Sequence, residues 1–208
     1  MNEAATASHR AFYGEKIPRD FNDMLERQRA LGESGRRLHL EMAAVNATIR
    51  IEVRGDSTDT FALNITGGHM STSDLPAYPP FLTLVQDEAA FRRLEQETRG
   101  SFTALLGALA GLGAEMKLTR KRVIDLEAVN GVIRLEVTGR DGFTIMTGFG
   151  AISSAAEPDA SIRMDGEAYA ELRAGRLDPQ NAFLDGRIDV EGDMEKVMQL
   201  AFSAIAPD

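Results

Sequence analysis

Residues 44–53 read AVNATIRIEV, and residues 128–137 read AVNGVIRLEV. Seven of the ten positions are identical, and the likeness continues outward at the same spacing, as where Arg36 matches Arg120. We call this match of the two segments the repeat alignment. Apolar and polar residues alternate through both copies, which is typical of strands with one buried face. The repeat predicts that two parts of the chain are built around the same strand element.

The second copy contains Asn130-Gly131 between two alternating runs. This pair favours a β-hairpin, because both central residues of a type I′ turn need positive φ. Such a hairpin would pair residues 124–129 with residues 132–137 and leave their apolar side chains on one face. The alternative is a helix that ends near Glu127, followed by a strand that begins at Val132. Both structures fit the residues, and the first copy is expected to pair residues 40–44 with its own strand in the same way.

Each copy continues with a second alternating run, a polar loop, a short run and a helix. The helices align at a shorter spacing than the decapeptides, as DEAAFRRL (87–94) and DGEAYAEL (165–172), with Asp87 and Asp165 placed to cap them. The difference between the two spacings predicts extra loop residues in the first copy, within residues 66–80.

Only the second copy continues past its helix. The sequence there predicts a short helix capped by Asp178, a strand over residues 187–191 and a final helix capped by Asp193. An apolar stripe runs along this final helix and is rich in methionine, which suits either a core or a surface that accepts loosely specified hydrophobic partners. Its members are Met194, Val197, Met198, Ala201, Phe202 and Ile205.

Composition limits the class of protein. Hydrophobic residues make up 43% of the 208, which is enough for a substantial core, and the absence of cysteine excludes disulfides and thiolate metal sites. A formal net charge of −9 argues against nucleic acid as a partner. The sequence shows neither a signal peptide nor a membrane span, which predicts a cytoplasmic protein. Arginine outnumbers lysine, as GC-rich bacterial coding would produce.

The histidines give no sign of catalysis. His9, His39 and His69 are widely spaced and fit neither a metal-binding pattern nor a catalytic triad. We therefore expect no metal, no cofactor and no catalytic residue.

The stretch from Met164 to Met194 resembles the sterol carrier protein family, also called nonspecific lipid-transfer proteins. The matching residues are Met164-Asp165, Tyr169, Leu172, Gly175, Leu177-Asp178-Pro179-Gln180, Ala182-Phe183, Gly186-Arg187-Ile188, Val190 and Gly192-Asp193-Met194.

The resemblance implies an α+β fold, with a mostly antiparallel sheet of about five strands covered on one face by helices. It also implies a hydrophobic tunnel between sheet and helices for sterols, acyl chains or other lipids. We expect a tail over residues 1–19, a degenerate repeat over residues 20–99 and a complete domain over residues 100–208. The degenerate repeat lacks the last strand and helix, so it is expected to pack on the complete domain as one internally duplicated body.

The first hypothesis for function is a lipid carrier that holds a sterol-like, isoprenoid or fatty-acyl ligand. A homodimer and transient membrane contact are compatible with it. Alternatives are an interaction module whose tunnel is filled by its own side chains, an accessory factor in isoprenoid quinone synthesis, and a small enzyme acting on a lipid. The strand-face and helix-stripe patterns predict a lining formed by Leu135, Ile145, Phe183, Ile188, Val190, Met194, Val197, Met198 and Phe202, with Leu105, Leu109 and Leu112.

Overall fold

The computed structural model of the protein describes residues 3–98, 117–152 and 156–205. The helices in these ranges are α1 Glu3–His9, a π-helical segment Arg10–Lys16, α2 Ile17–Arg29, α3 Gly32–Ala43, α4 Glu88–Thr98, α5 Arg120–Ala128, α6 Gly166–Arg173, α7 Pro179–Leu184 and α8 Met194–Ile205. The strands are β1 Ala47–Arg54, β2 Thr58–Thr66, β3 His69–Ser73, β4 Pro80–Asp87, β5 Gly131–Thr138, β6 Phe143–Phe149, β7 Ala160–Asp165 and β8 Ile188–Gly192.

Within these described residues the strands form one eight-stranded sheet in the order β3-β2-β1-β4-β6-β5-β7-β8. Most neighbours are antiparallel, while β1/β4 and β5/β7 are parallel. The predicted α+β class with a mostly antiparallel sheet is confirmed, whereas the expected number of about five strands is wrong. The sheet is larger because β4 pairs with β6 and so joins strands from both parts of the chain.

The two copies of the repeated decapeptide contribute matching strands. Each lies at the centre of a trio, antiparallel to the strand that follows it and parallel to a later one. The register agrees with the repeat alignment, since Ile51 pairs with Phe61 and Leu135 pairs with Ile145. In the sheet order, β2-β1-β4, which we call the first trio, is followed by β6-β5-β7, the second trio. The two trios are therefore related by a shift along the sheet.

The hairpin predicted at Asn130-Gly131 is wrong, and the alternative of a helix followed by a strand is correct. α5 ends at Ala128 and β5 begins at Gly131; residues 40–43 likewise belong to α3 and not to a strand. Of the two turn residues only Asn130 has a positive φ, of 42°. A Cβ at position 131 would lie 2.6 Å from Lys196 Cδ. Gly131 makes room for a distant side chain and does not form a hairpin turn.

Four aspartates fix where helices α4, α6, α7 and α8 begin. The side chain of each accepts a hydrogen bond from the backbone N–H three residues later, at distances from 2.7 to 3.2 Å. Such an acceptor satisfies one of the free N–H groups in the first turn of a helix. The four predicted caps are confirmed, and they are Asp87, Asp165, Asp178 and Asp193.

The helical N-terminal region packs into the core beside β2 and β3. Phe12, Tyr13 and Phe21 are fully buried there, within the segment that the sequence suggested as a tail and the start of a repeat. The Tyr13 hydroxyl accepts a hydrogen bond of 2.5 Å from the side-chain amide of Gln86 in β4. Burial raises the pKa of Tyr13 above its usual range, so the phenol stays neutral. This region closes one end of the apolar face of the sheet.

None of the helices in the described ranges combines the length and apolar character needed to cross a membrane.

Candidate functional site

A row of apolar side chains crosses β6, β5, β7 and β8. The strand register places Leu135 beside both Ile145 and Ile162, and Ile162 beside Val190. Residues paired directly across neighbouring strands point to the same face of a sheet, so these four form a continuous strip. Ile145 is buried, whereas Leu135, Ile162 and Val190 are half-buried. We call these last three residues the floor.

The matching positions in the first trio are fully buried. Ile51 and Leu84 pair in β1 and β4 as Leu135 and Ile162 pair in β5 and β7. Ile51 and Leu84 are both 0% exposed. Similar aliphatic residues at the same register are therefore buried to different degrees in the two trios. Within the described residues, the floor is an apolar surface that is only partly covered.

Helices α7 and α8 border the floor. α7 packs against β8, and α8 packs against β7. Phe183 of α7 is 44% exposed, and Met194 and Met198 of α8 are 39% and 43% exposed. Large apolar side chains of this kind are normally buried, so their exposure beside a half-open floor is informative. We call the half-buried floor and the two helices that border it the cleft.

The first turn of α8 is anchored by Asp159, the residue before β7. Its carboxylate accepts 2.7 Å bonds from Lys196 Nζ and from the backbone N–H of Val132. Its backbone carbonyl accepts a 2.9 Å bond from the N–H of Asp193. The bond from Lys196, followed by that from Val132, lowers the pKa of Asp159, because both stabilise the carboxylate. Asp159 therefore ties the start of α8 to the strands of the floor.

The last turn of α8 is anchored on α5. The Arg122 guanidinium donates a hydrogen bond to the backbone carbonyl of Ser203, and the Ser203 hydroxyl donates a 3.3 Å bond to the carbonyl of Asp125. Arg122 is only 6% exposed. A buried charge of this kind is retained where polar partners compensate for its lost hydration. Both ends of α8 are thus fixed by polar contacts, while two methionines of its apolar stripe stay exposed.

The residues predicted to line a lipid site lie in different surroundings. Ile145 and Ile188 are buried in the core, and Leu135, Val190 and Val197 pack against it while half-buried. The residues on the bordering helices are Phe183, Met194 and Met198. The side chain of Phe202 and the residues Leu105, Leu109 and Leu112 lie outside what the structure describes. That these residues line a lipid site remains a prediction.

Sequence reasoning missed three residues of this region. Ile162 could have been found from the alternation in ASIRMD (160–165), where it occupies the place that Leu84 has in β4. Arg122 and Asp159 give no such signal, because their partners in α8 are distant in sequence.

The first histidine has a structural position. His9 is buried, with Nδ1 2.7 Å from Asp59 Oδ2 and Nε2 3.2 Å from Glu88 Oε1. This contact attaches the end of α1 to β2 and α4. Across the part of the chain that the structure describes, no group of three or more His, Asp or Glu residues is arranged to hold a metal ion.

Comparison with known proteins gives a family match for part of the chain. Residues 116–203 match the SCP-2 sterol transfer family. Sterol carrier protein 2 from Yarrowia lipolytica is similar at 18% identity and a TM-score of 0.32, over 38% of this chain and 76% of that one. Sterol carrier protein 2 like 2 from Aedes aegypti is similar at 19% identity and a TM-score of 0.33, over 54% of this chain and 94% of that one. A search of curated proteins gave no significant match. Residues 116–203, which contain α5, the floor and most of α8, are therefore a domain of the SCP-2 sterol transfer family.

Proposed function

We propose that the protein is a lipid carrier that binds the apolar part of its ligand above the floor. The supporting observation is the difference between the two trios: Leu135 and Ile162 are half-buried where Ile51 and Leu84 are fully buried. The family match at residues 116–203 independently indicates lipid binding or transfer. On this proposal the protein acts by binding and release, without catalysis, and contacts membranes transiently.

The expected affinity follows from the surface that a ligand would cover. Full burial of an aliphatic side chain contributes about 1.5–3 kcal/mol, so completing the burial of the floor and of Met194 and Met198 contributes several kcal/mol. Association costs of about 4–15 kcal/mol oppose this gain. Methionine also adapts to ligands of different shape. Weak binding that tolerates different ligand shapes is the expected result.

The first test identifies what the protein carries. Protein purified under native conditions is extracted with organic solvent, and the released molecules are identified by mass spectrometry against a mock purification. A stoichiometric hydrophobic molecule would establish the cleft as a lipid site and name the ligand class. No such molecule, even after incubation with mixed lipids, would refute the proposal.

A charged substitution tests the position of the site. Met198→Glu places a carboxylate on α8, which borders the floor; if Met198 contacts the ligand, binding would strip the carboxylate of its water, so lipid uptake should be abolished. Leu40→Glu is the matched control, because Leu40 is even more exposed but lies on α3. Uptake is followed with a fluorescent fatty acid. Undiminished uptake by folded Met198→Glu would remove this residue from the site.

The second candidate is an interaction module without a ligand. The observation that favours it is the first trio, where the protein's own side chains fill the space between sheet and helices. If the same held above the floor, the melting temperature would be indifferent to added lipid, whereas a carrier is stabilised by its ligand. Thermal unfolding with and without lipid separates the two candidates.

A further inference from the structure

The row of side chains that contains the floor reaches a buried glutamine. On the inner side of the floor, Leu135 pairs with Ile145 of β6, and Ile145 pairs with Gln86 of β4. Side chains paired directly across neighbouring strands point to the same face, so Gln86 lies on the face that carries the floor. Ile145 and Gln86 are each 2% exposed. The row therefore runs from the half-buried floor into the core and meets a polar side chain there.

The amide of Gln86 is only half satisfied within the described residues. Its NH2 group donates a 2.5 Å hydrogen bond to the Tyr13 hydroxyl. Its oxygen, Oε1, is buried and accepts no hydrogen bond from the part of the chain that the structure describes. A buried acceptor without a partner costs free energy, because it has lost the hydrogen bonds that water would supply. A bound molecule that donates a hydrogen bond to Oε1 would remove this cost.

The second trio shows that this place in the sheet does not need a polar residue. Gln86 of β4 pairs with Val53 of β1. The corresponding pair in β7 and β5 is Met164 and Val137, and Met164 belongs to the hydrophobic core. Methionine and glutamine are similar in length and volume, and swaps that conserve volume usually pack well. Packing alone does not require an amide at position 86, and the contact with Tyr13 uses only its NH2 group.

The surroundings of Gln86 favour an uncharged head group. Burial raises the pKa of Tyr13, and the Glu95 carboxylate raises it further. A place that is buried and lies within the field of a negative charge disfavours a second anion. A hydroxyl group suits it, because a hydroxyl is neutral and can donate a hydrogen bond to Oε1.

We propose that Gln86 Oε1 is the polar end of the lipid site and accepts a hydrogen bond from the hydroxyl group of a neutral lipid alcohol. The apolar part of this ligand extends over Ile145 to the floor. The inference rests on the proposed lipid binding above the floor and names the ligand class. Neighbouring strands lie about 4.8 Å apart, so the row from Gln86 to Val190 spans about 19 Å. This span suits an extended lipid with its head group in the core and its tail toward β8.

The test compares three probes by isothermal titration calorimetry. They are dodecan-1-ol, methyl undecyl ether, which has as many heavy atoms but no hydrogen on its oxygen, and dodecanoate, which is charged. The parent protein should bind the alcohol about tenfold more tightly than either other probe, because only the alcohol satisfies Oε1. Equal binding of alcohol and ether would show that Oε1 gains nothing from the ligand. Tighter binding of the ether or of dodecanoate would show that the site prefers an acceptor. Either result would overturn the inference.

A substitution tests the residue itself. Gln86→Met introduces the side chain found at the matching place in β7, and it should remove the preference for the alcohol while the ether still binds. Gln28→Met, at a buried position in α2, is the matched control and should keep the preference. A preference that persists in folded Gln86→Met would contradict the assignment. If this variant does not fold, the double variant Tyr13→Phe/Gln86→Met is measured in its place, because removing both partners leaves neither unsatisfied.

The parent protein separates this inference from the proposed function. If it binds none of the three probes, the proposed function fails and the inference fails with it. If it binds alcohol and ether equally, lipid binding stands and only the role of Gln86 is refuted.

Discussion

Leu84 and Ile162 show at the scale of single residues how the two trios differ. Each pairs with the central strand of its trio, yet only Leu84 is fully buried. The cost of truncating a side chain includes the lost transfer free energy and the cavity left behind. We expect Leu84→Ala to lower the free energy of unfolding by about 2–5 kcal/mol, and Ile162→Ala by about 1 kcal/mol because it leaves no closed cavity. Urea unfolding measures both, and equal losses would contradict the difference in coverage.

Asp159 predicts a dependence of stability on pH. Its pKa in the folded protein lies below the ordinary value of 3.8, so the ionised carboxylate stabilises the fold above that pH. This contribution is lost as the pH falls through the folded-state pKa. Asp159→Asn should lower stability at pH 7 by about 1 kcal/mol or less, because the ion pair with Lys196 is partly exposed.

The test compares Asp159→Asn with the parent protein by urea unfolding at pH 7 and in increasingly acidic buffer. The gap between their free energies of unfolding should narrow as Asp159 becomes protonated. Asp141→Asn, at an exposed position outside this contact, serves as the control. A gap that is unchanged in acid would show that the carboxylate does not act through its charge.

At the scale of elements, Gly192 determines where β8 gives way to α8. Its φ is 91°, and a Cβ there would overlap the carbonyl oxygen of Asp159. Gly186 has a similar φ of 68° and open space around it. Alanine at either site costs about 1–2 kcal/mol for positive φ, but only Gly192→Ala must also displace the backbone. Gly192→Ala should therefore be the less stable variant and should bind less lipid. Urea unfolding measures the stability of both variants. Equal stability would contradict the close approach of Gly192 to the Asp159 carbonyl.

The elements also show which features local sequence can predict. The four aspartate caps were predictable because a cap depends on residues within one helical turn. The Asn130-Gly131 hairpin failed because the pair joins α5 to β5, and α5 is held by its packing on β4 and β6, which local sequence does not specify. The apolar residues of the floor follow from strand alternation. Their partial exposure does not, because it depends on how elements distant in sequence pack over the sheet.

At the scale of the whole molecule, the number of strands was beyond local prediction. The pairing of β4 with β6 joins residues 82–86 to residues 145–149, and no periodic pattern in either segment specifies that partner. Sheet pairing between distant segments couples their stability, because each strand supplies the other's backbone hydrogen bonds.

This coupling predicts that both trios unfold together. Hydrogen exchange measured by mass spectrometry should show β1 and β5 losing protection at the same denaturant concentration. Leu84→Ala, although it lies in the first trio, should lower that concentration for β5 as well. Leu75→Ala, at an exposed site in the loop between β3 and β4, should change neither. Separate transitions for β1 and β5 would show that the two parts fold independently.

The relation between the trios is a shift and not a rotation, which has a consequence for engineering. Two units related by a rotation form a closed pair. Units related by a shift leave a strand edge to which a further unit can be added. β6 serves two units at once, since it completes the first and belongs to the second. A third unit built by design could therefore use the outer edge of β8 as its template, and the molecule would lengthen as a modular array.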